Sequence, residues 1–282
     1  MKKVPFLLVS PAVLFYSIFL VTPLIITFLM SFHGYSMYTG ISDDYTLANY
    51  IEVLTDSYFY EIFLRTFTMS VAVAVLCTAL AVIEALILYR MNAFYKSISL
   101  LIILGPLLIS VVVRTLGWAI LIGETGIISE IPVLMGISEK PISLMYTQIG
   151  VVITMVHVLA PFSIIAVMAT MSKLDESIVN ASLSLKASSF FTLRKVLLPQ
   201  LMPGILSGIM IVFTLSITAF ATPAIIGGRK LKVIAMVIYD EFLATLNWPL
   251  GASIAVILII VNFACIYFYN RHIQKKYKKV FQ

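Results

Sequence analysis

The sequence predicts an all-α polytopic membrane protein with six transmembrane helices, both termini cytoplasmic, and a short cytoplasmic helix between the fourth and fifth crossings. Three observations carry that prediction. Apolar side chains make up 61% of the 282 residues and charged ones 11%. The mean hydropathy is +1.06, too apolar for a chain of this size to cover a water-facing surface. The apolar residues gather into six long runs, and the basic residues gather at alternate ends of those runs.

In order, the runs cover residues 5–32, 63–89, 98–122, 148–170, 202–226 and 250–269. Each is long enough to cross the hydrocarbon core, which takes about 20 helical residues. In lipid a single segment satisfies its own backbone only as a helix. The first run follows Met1-Lys2-Lys3 but is too long for the core of a secretory leader. It carries Pro11 and Pro23 and lacks a small-x-small site before Ser31-Phe32, which predicts a retained first span. Loops 33–62, 123–147 and 227–249 are polar and hold turn formers such as Gly34, Gly126, Pro141, Gly227 and Gly228. None is large enough for a second domain, so residues 1–282 read as a single transmembrane domain.

Orientation follows from the basic residues. With Lys2 and Lys3 inside, the inner segments also hold Arg90, Lys96, Lys173, Lys186, Arg194, Lys195, Arg271, Lys275, Lys276, Lys278 and Lys279. The outer segments hold only Arg65, Lys140, Arg229, Lys230 and Lys232. That asymmetry places both ends in the cytoplasm. It also explains the net charge of +6 by topology, with no nucleic-acid partner needed. Most acids fall on the outer side, among them Glu52, Asp56, Asp240 and Glu241, which makes that surface attractive to cations.

Several chemistries are absent from the sequence. Cys77 and Cys265 lie inside apolar runs with no CxxC or Cys/His neighbour, which argues against a zinc site or a disulfide framework. There is no GxxxxGK[ST], so no ATP site of the P-loop kind is expected in this chain. No HExxH, GxSxG or carboxylate pair suggests an enzyme. The expectation is a non-enzyme without a cofactor of its own.

The segment 173–200, KLDESIVNASLSLKASSFFTLRKVLLPQ, is the longest inner stretch between spans. Asp175 and Glu176 suit a helix N-terminus. Ala181, Leu185 and Ser188-Ser189 follow at helical spacing, and Phe190, Phe191 and Leu193 form an apolar cluster outside the membrane core. Pro199 and Pro203 bracket the return into lipid. A short helix that presents aromatics to the cytoplasm needs a partner groove or the lipid interface to bury them.

This stretch resembles the "EAA" loop of ABC importer permeases. Asn180-Ala181-Ser182 stands at the Glu-Ala-Ala place, Lys186 at the Gly place with Ala187 after it, and Leu198-Pro199 at the Leu-Pro place, with the spacing preserved. Glu is replaced by Asn180 and Gly by Lys186. Residues 109–126 are similar to the Ser-x-x-x-Arg-Thr-x-x-Trp stretch of the spermidine/putrescine-type permeases, through Ser110, Arg114, Thr115 and Trp118. Pro203-Gly204-Ile205, Phe220-Ala221-Thr222-Pro223 with Gly227-Gly228, and Asn247-Trp248-Pro249-Leu250-Gly251-Ala252 resemble further motifs of that subfamily, and Ala48-Asn49-Tyr50 fits its first outer loop. The resemblance covers nearly the whole chain.

The resemblance implies a division of labour. A periplasmic solute-binding protein would deliver substrate. This chain and a second permease subunit, a related partner or another copy, would form the pathway in the lipid. Two ATPase subunits would bind ATP and drive the loop 173–200 as a coupling helix. The implied substrate is a polyamine first, with iron(III), thiamine, opines and phosphonates carried by related systems. The rival reading is an ion-gradient-driven secondary transporter acting without an ATPase. Such a protein needs ionisable groups within its spans, and Glu84 is the one acid inside a run.

Candidate pathway or gate residues are Glu84, Arg114, Trp118, Phe220, Thr222 and Pro223. Arg114 is either a structural or gating cation that faces protein or water, or an interfacial arginine snorkelling outward. Trp118, one turn on, is placed to stack with it. Counted along continuous helices, Glu84 and Arg114 differ in depth by about 18 Å, too far for an ion pair. Glu84 either lines the path or is a satisfied structural carboxylate. Pro223 either frees carbonyls at a pathway break or simply kinks the end of the fifth span. His157 is expected to be packed and hydrogen-bonded, and Trp248 to sit at a membrane boundary.

Overall fold

A computed structural model of the chain describes residues 4–277. Lys2, Lys3, Lys278 and Lys279, which enter the orientation argument, lie outside the described residues. The chain opens with α1 (Val4–Tyr16) and α2 (Thr22–Met30), joined by a π-turn at Ser17–Val21. A hairpin of β1 (His33–Ser36) and β2 (Gly40–Tyr45) and the short α3 (Ala48–Thr55) follow. Then come α4 (Ser57–Arg90), α5 (Ala93–Leu104), α6 (Val111–Ile122), α7 (Ile127–Leu134) and α8 (Gln148–Met171). The chain ends with α9 (Glu176–Ser184), α10 (Ser189–Thr192), α11 (Leu198–Ile217), α12 (Ile234–Leu243) and α13 (Trp248–Tyr277).

Among the described residues, six helical segments are long and apolar enough to cross a membrane: Val9–Met30, Ser57–Arg90, Val111–Leu134, Gln148–Met171, Ser189–Ile217 and Trp248–Arg271. Two of the predicted runs differ in detail. The run at 98–122 is not one helix. It is α5, a 3-10 turn at Gly105–Leu108, an extended pair at Ile109 and Ser110, and then α6. Pro106 explains the interruption, because it removes a backbone donor and tightens the last turn. The fifth span begins before 202. Pro199 and Pro203 lie inside it, and a π-turn at Leu193–Leu197 precedes Pro199. The proline ring would clash with the carbonyl four residues back, at Lys195, and widening the turn moves that carbonyl aside. The π-turn before Pro23 has the same relation to its proline.

The chain divides into two compact units. The first comprises residues 1–63 and 234–263. Its loop region is tied by Asn49, whose Nδ2 donates to the carbonyls of Ser31 at 3.2 Å and His33 at 2.8 Å. Ser31 Oγ and Tyr50 OH share a 2.6 Å hydrogen bond. The corner after α12 is closed by Trp248 Nε1 donating to the Phe242 carbonyl at 3.0 Å. In contrast, none of the most apolar stretch of Val9–Met30 is buried.

The second unit comprises residues 64–233 and 264–282. Its core joins Ala81, Ala85 and Leu88 of α4 to Ile164, Val167, Met168 and Met171 of α8 and Leu201 of α11. The close partners are α8 and α11. A Cβ on Gly204 would lie 2.8 Å from the Ala166 carbonyl, and one on Gly208 would lie 2.5 Å from Ser163 Oγ. Two glycines four apart let one helix backbone settle against another where lipid supplies no hydrophobic drive. Ser163 Oγ donates to Thr78 Oγ1 at 3.2 Å, joining α8 to α4 as well.

Candidate functional site

Two places gather the residues singled out by sequence. The first is the segment after α8. Asp175 Oδ1 accepts the Ser177 N–H at 2.8 Å and so caps α9. The backbone hydrogen bond from Ser177, with its side chain second, holds the exposed Asp175 carboxyl below the usual carboxylate range. The helix does not run on to Ser188-Ser189 as the spacing predicted. It ends at Ser184, and Lys186 takes a left-handed backbone with φ of 58°. The Ala187 N–H returns to the Ser182 carbonyl at 3.2 Å, the six-to-one bond of a helix C-cap that glycine usually serves. Lys186 thus occupies a glycine geometry at the place where the resembled loop has glycine.

Beyond the turn, Ser188 Oγ accepts the Phe191 N–H at 3.2 Å and caps α10. Ser182 Oγ and Thr192 Oγ1, 2.9 Å apart, pin α9 to α10. The product is a bent two-helix segment whose tip shows Leu185, Phe190 and Phe191, exposed by 84%, 69% and 52%. Asn180 and Ala181 are exposed on α9, Ala187 is half-buried in the turn, and Leu198 and Pro199 open α11.

The second place lies where α6, α8 and the chain after α11 meet. Trp118 Nε1 donates to His157 Nδ1 at 3.0 Å. Arg114 Nη1 donates to the Val158 carbonyl at 3.4 Å, and its Nε is buried without a partner. His157 is exposed, not packed inside, although it is hydrogen-bonded as expected. The helix α11 stops at Ile217, and Thr222 and a π-turn at Pro223–Gly227 follow the break. Thr222 is buried and shares a 3.1 Å hydrogen bond with Thr115 of α6. Phe220, in the break itself, is partly exposed. Two interrupted spans are therefore tied together about one turn beyond each interruption.

Glu84 is not brought to this cluster. It lies in a groove of about 250 Å³ with Ile87, Leu88, Met91, Ser99, Ile102 and Ile103, and its Oε2 is buried without a hydrogen bond. In the first unit, partial desolvation, followed by the nearby carboxylates of Glu241 and Asp56, holds Glu52 above the usual carboxylate range. Among the described residues, no three His, Cys, Asp or Glu side chains form a metal-binding group. Sequence reading named Thr115, Thr222, Trp118 and His157 but missed the pairing of Thr115 with Thr222 and of Trp118 with His157. The paired residues are 107 and 39 residues apart, beyond the reach of any helical period.

These features define a multi-span helical membrane protein with interrupted spans and a projecting, aromatic-tipped helical segment. Its fold is that of ABC transporter permeases. It superposes on a chain of the bacterial ABC transporter involved in import of the acidic polysaccharide alginate with a TM-score of 0.80, at 15% identity, covering 95% of this chain and 93% of the other. A chain of the inward-facing MetNI methionine ABC transporter matches with a TM-score of 0.59, at 16% identity, over 77% and 94%. The family model for the inner membrane component of binding-protein-dependent transport systems matches residues 46–279. The chain belongs to that family and is a multi-pass protein of the bacterial inner membrane. Among relatives, the spermidine/putrescine transport system permease protein PotB of Haemophilus influenzae is 28% identical over 80% of this chain and 79% of its own length. PotB of Escherichia coli strain K12 is 28% identical over 84% and 86%. The inner membrane ABC transporter permease protein YdcU of the same strain is 27% identical over 91% and 85%. These relatives are transport permeases, as the resemblance in the sequence implied.

Proposed function

We propose that residues 1–282 act as one permease domain of an ATP-driven importer that carries a polyamine such as spermidine or putrescine. The observation that carries this reading is the family match across 46–279 on a chain whose segment after α8 ends in bare aromatics. The 28% identity to proteins named as spermidine/putrescine permeases supports the substrate class. Both termini and the segment 173–200 face the cytoplasm. The chain performs no catalysis and binds no cofactor itself. ATP is bound by two ATPase subunits, solute arrives on a periplasmic binding protein, and a second permease subunit completes the route. A related chain is the preferred partner and another copy the alternative.

In this reading Phe190 and Phe191 seat in the ATPase, flanked by Asn180, Ala181, Ser182, Lys186 and Ala187. Leu198 and Pro199 set the angle at which α11 leaves the coupling segment. Two docked arrangements that differ in energy let nucleotide binding change access to the pathway. Glu84, Arg114, Trp118, Phe220, Thr222 and Pro223 are assigned to that pathway or its gate. The test is ATP-dependent uptake of labelled spermidine into vesicles holding the whole transporter. Phe190→Ala/Phe191→Ala should insert normally yet lose ATPase recruitment and about tenfold or more of uptake, since buried aromatics dominate interfaces. Native recruitment and uptake in the double variant would remove the aromatic tip from coupling.

A further inference from the structure

The face shared by α6 and α8 brings together an indole, an imidazole and a guanidinium. An indole nitrogen only donates, so the 3.0 Å bond from Trp118 Nε1 fixes His157 Nδ1 without a proton. While that bond stands, His157 is the neutral tautomer with its proton on Nε2. The two rings lie 5.5 Å apart, tilted by 59°. Arg114 reaches the carbonyl of Val158, the residue next to His157, which brings the guanidinium and the imidazole to neighbouring positions. The hydrogen bond recorded for the guanidinium goes to that carbonyl, and its buried Nε has no acceptor. Arg114 also lies in the first turn of α6, where the Ser110 side chain makes no capping bond, so the positive end of the helix adds to its field.

A guanidinium keeps its proton, and a charge facing hydrocarbon is strongly disfavoured. The exposed side of this cluster therefore borders a watery route. We propose that Arg114, with His157 held neutral by Trp118, forms an electrostatic barrier in that route which stops small free cations from leaking through the permease. This rests on the permease reading above. A monovalent cation about 6 Å from a guanidinium with no carboxylate partner among the described residues, at an effective dielectric of about 20, has its occupancy lowered roughly a hundredfold. A polyamine carries more positive charge than a monovalent ion and meets the same repulsion, so its passage requires the conformational cycle to move Arg114 off the route, whereas a free ion meets the barrier in place.

The test uses the intact transporter, purified with its permease partner and ATPase and reconstituted in liposomes. Passive rubidium efflux is measured without ATP. Arg114→Gln should raise efflux about tenfold or more, while Arg114→Lys, which keeps the charge, should stay within about twofold of native. In a Cys77→Ala/Cys265→Ser background, His157→Cys should react with a membrane-impermeant thiol reagent. Native efflux from the glutamine variant, equal efflux from glutamine and lysine variants, or no labelling at position 157 would each overturn the barrier. Loss of the permease partner from the purified Arg114→Gln complex would overturn it too, assigning Arg114 to the subunit contact. ATP-driven uptake by the native complex is read in the same liposomes, and its failure would sink the permease reading separately.

Discussion

Lys186 turns the segment between α9 and α10 at φ of 58°, a conformation that costs a residue with a Cβ about 1–2 kcal/mol. Glycine at this position would remove most of that cost, so Lys186→Gly should strengthen the turn by about 1 kcal/mol. Hydrogen exchange checks this: amides at the end of α9 and in the turn should exchange about fivefold more slowly in Lys186→Gly and faster in Lys186→Val. Unchanged exchange in both variants would mean the turn is held by other bonds, such as that between Ser182 and Thr192. The lysine was visible in the sequence as a departure from the expected glycine. That it bends the backbone as glycine would, instead of prolonging α9, was decided by the return bond from Ala187 to Ser182.

Among the helices, the contact of α8 with α11 depends on what Gly204 and Gly208 lack. A valine at 208 would thrust methyls into Ser163, whose Cα lies 3.5 Å from the position of a Cβ. Overpacking of this kind costs about 1–3 kcal/mol. Gly208→Val should therefore lower the melting midpoint of the purified protein in detergent, and Ser163→Gly should partly restore the loss caused by Gly208→Ala. An unshifted midpoint in Gly208→Val would show that the helices part easily. The run 202–226 announced a membrane helix but not its partner. An apolar face looks alike whether it meets lipid or another helix, and only small residues at a four-residue spacing hint at the difference.

For the molecule in its membrane, orientation is the property that coupling requires. Trypsin added to inside-out vesicles should cut at Arg194 or Lys195 while Lys140 and Lys230 stay protected, and right-side-out vesicles should show the reverse, as mass spectrometry of the fragments would report. Cleavage at 194–195 from the periplasmic side would leave the exposed phenylalanines with no ATPase to meet. The charge asymmetry that motivates this expectation lies in the loops and the chain ends, so it can be read without a structure.

The number of crossings, the approximate limits of the first, second, fourth and sixth and the position of the projecting segment followed from hydropathy and spacing, because lipid leaves a backbone few alternatives to helix, whereas the third moved to Val111–Leu134 and the fifth to Ser189–Ile217. The breaks at 109–110 and 218–220, the left-handed Lys186 and the seating of α11 on α8 required the folded chain. So did the gathering of Arg114, Trp118 and His157, whereas the separation of Glu84 from Arg114 was already expected from their depths along the helices. The reason is physical: solvent preference is a property of each residue with its near neighbours, whereas hydrogen bonds such as Thr115 to Thr222 join parts of the chain that only packing brings together.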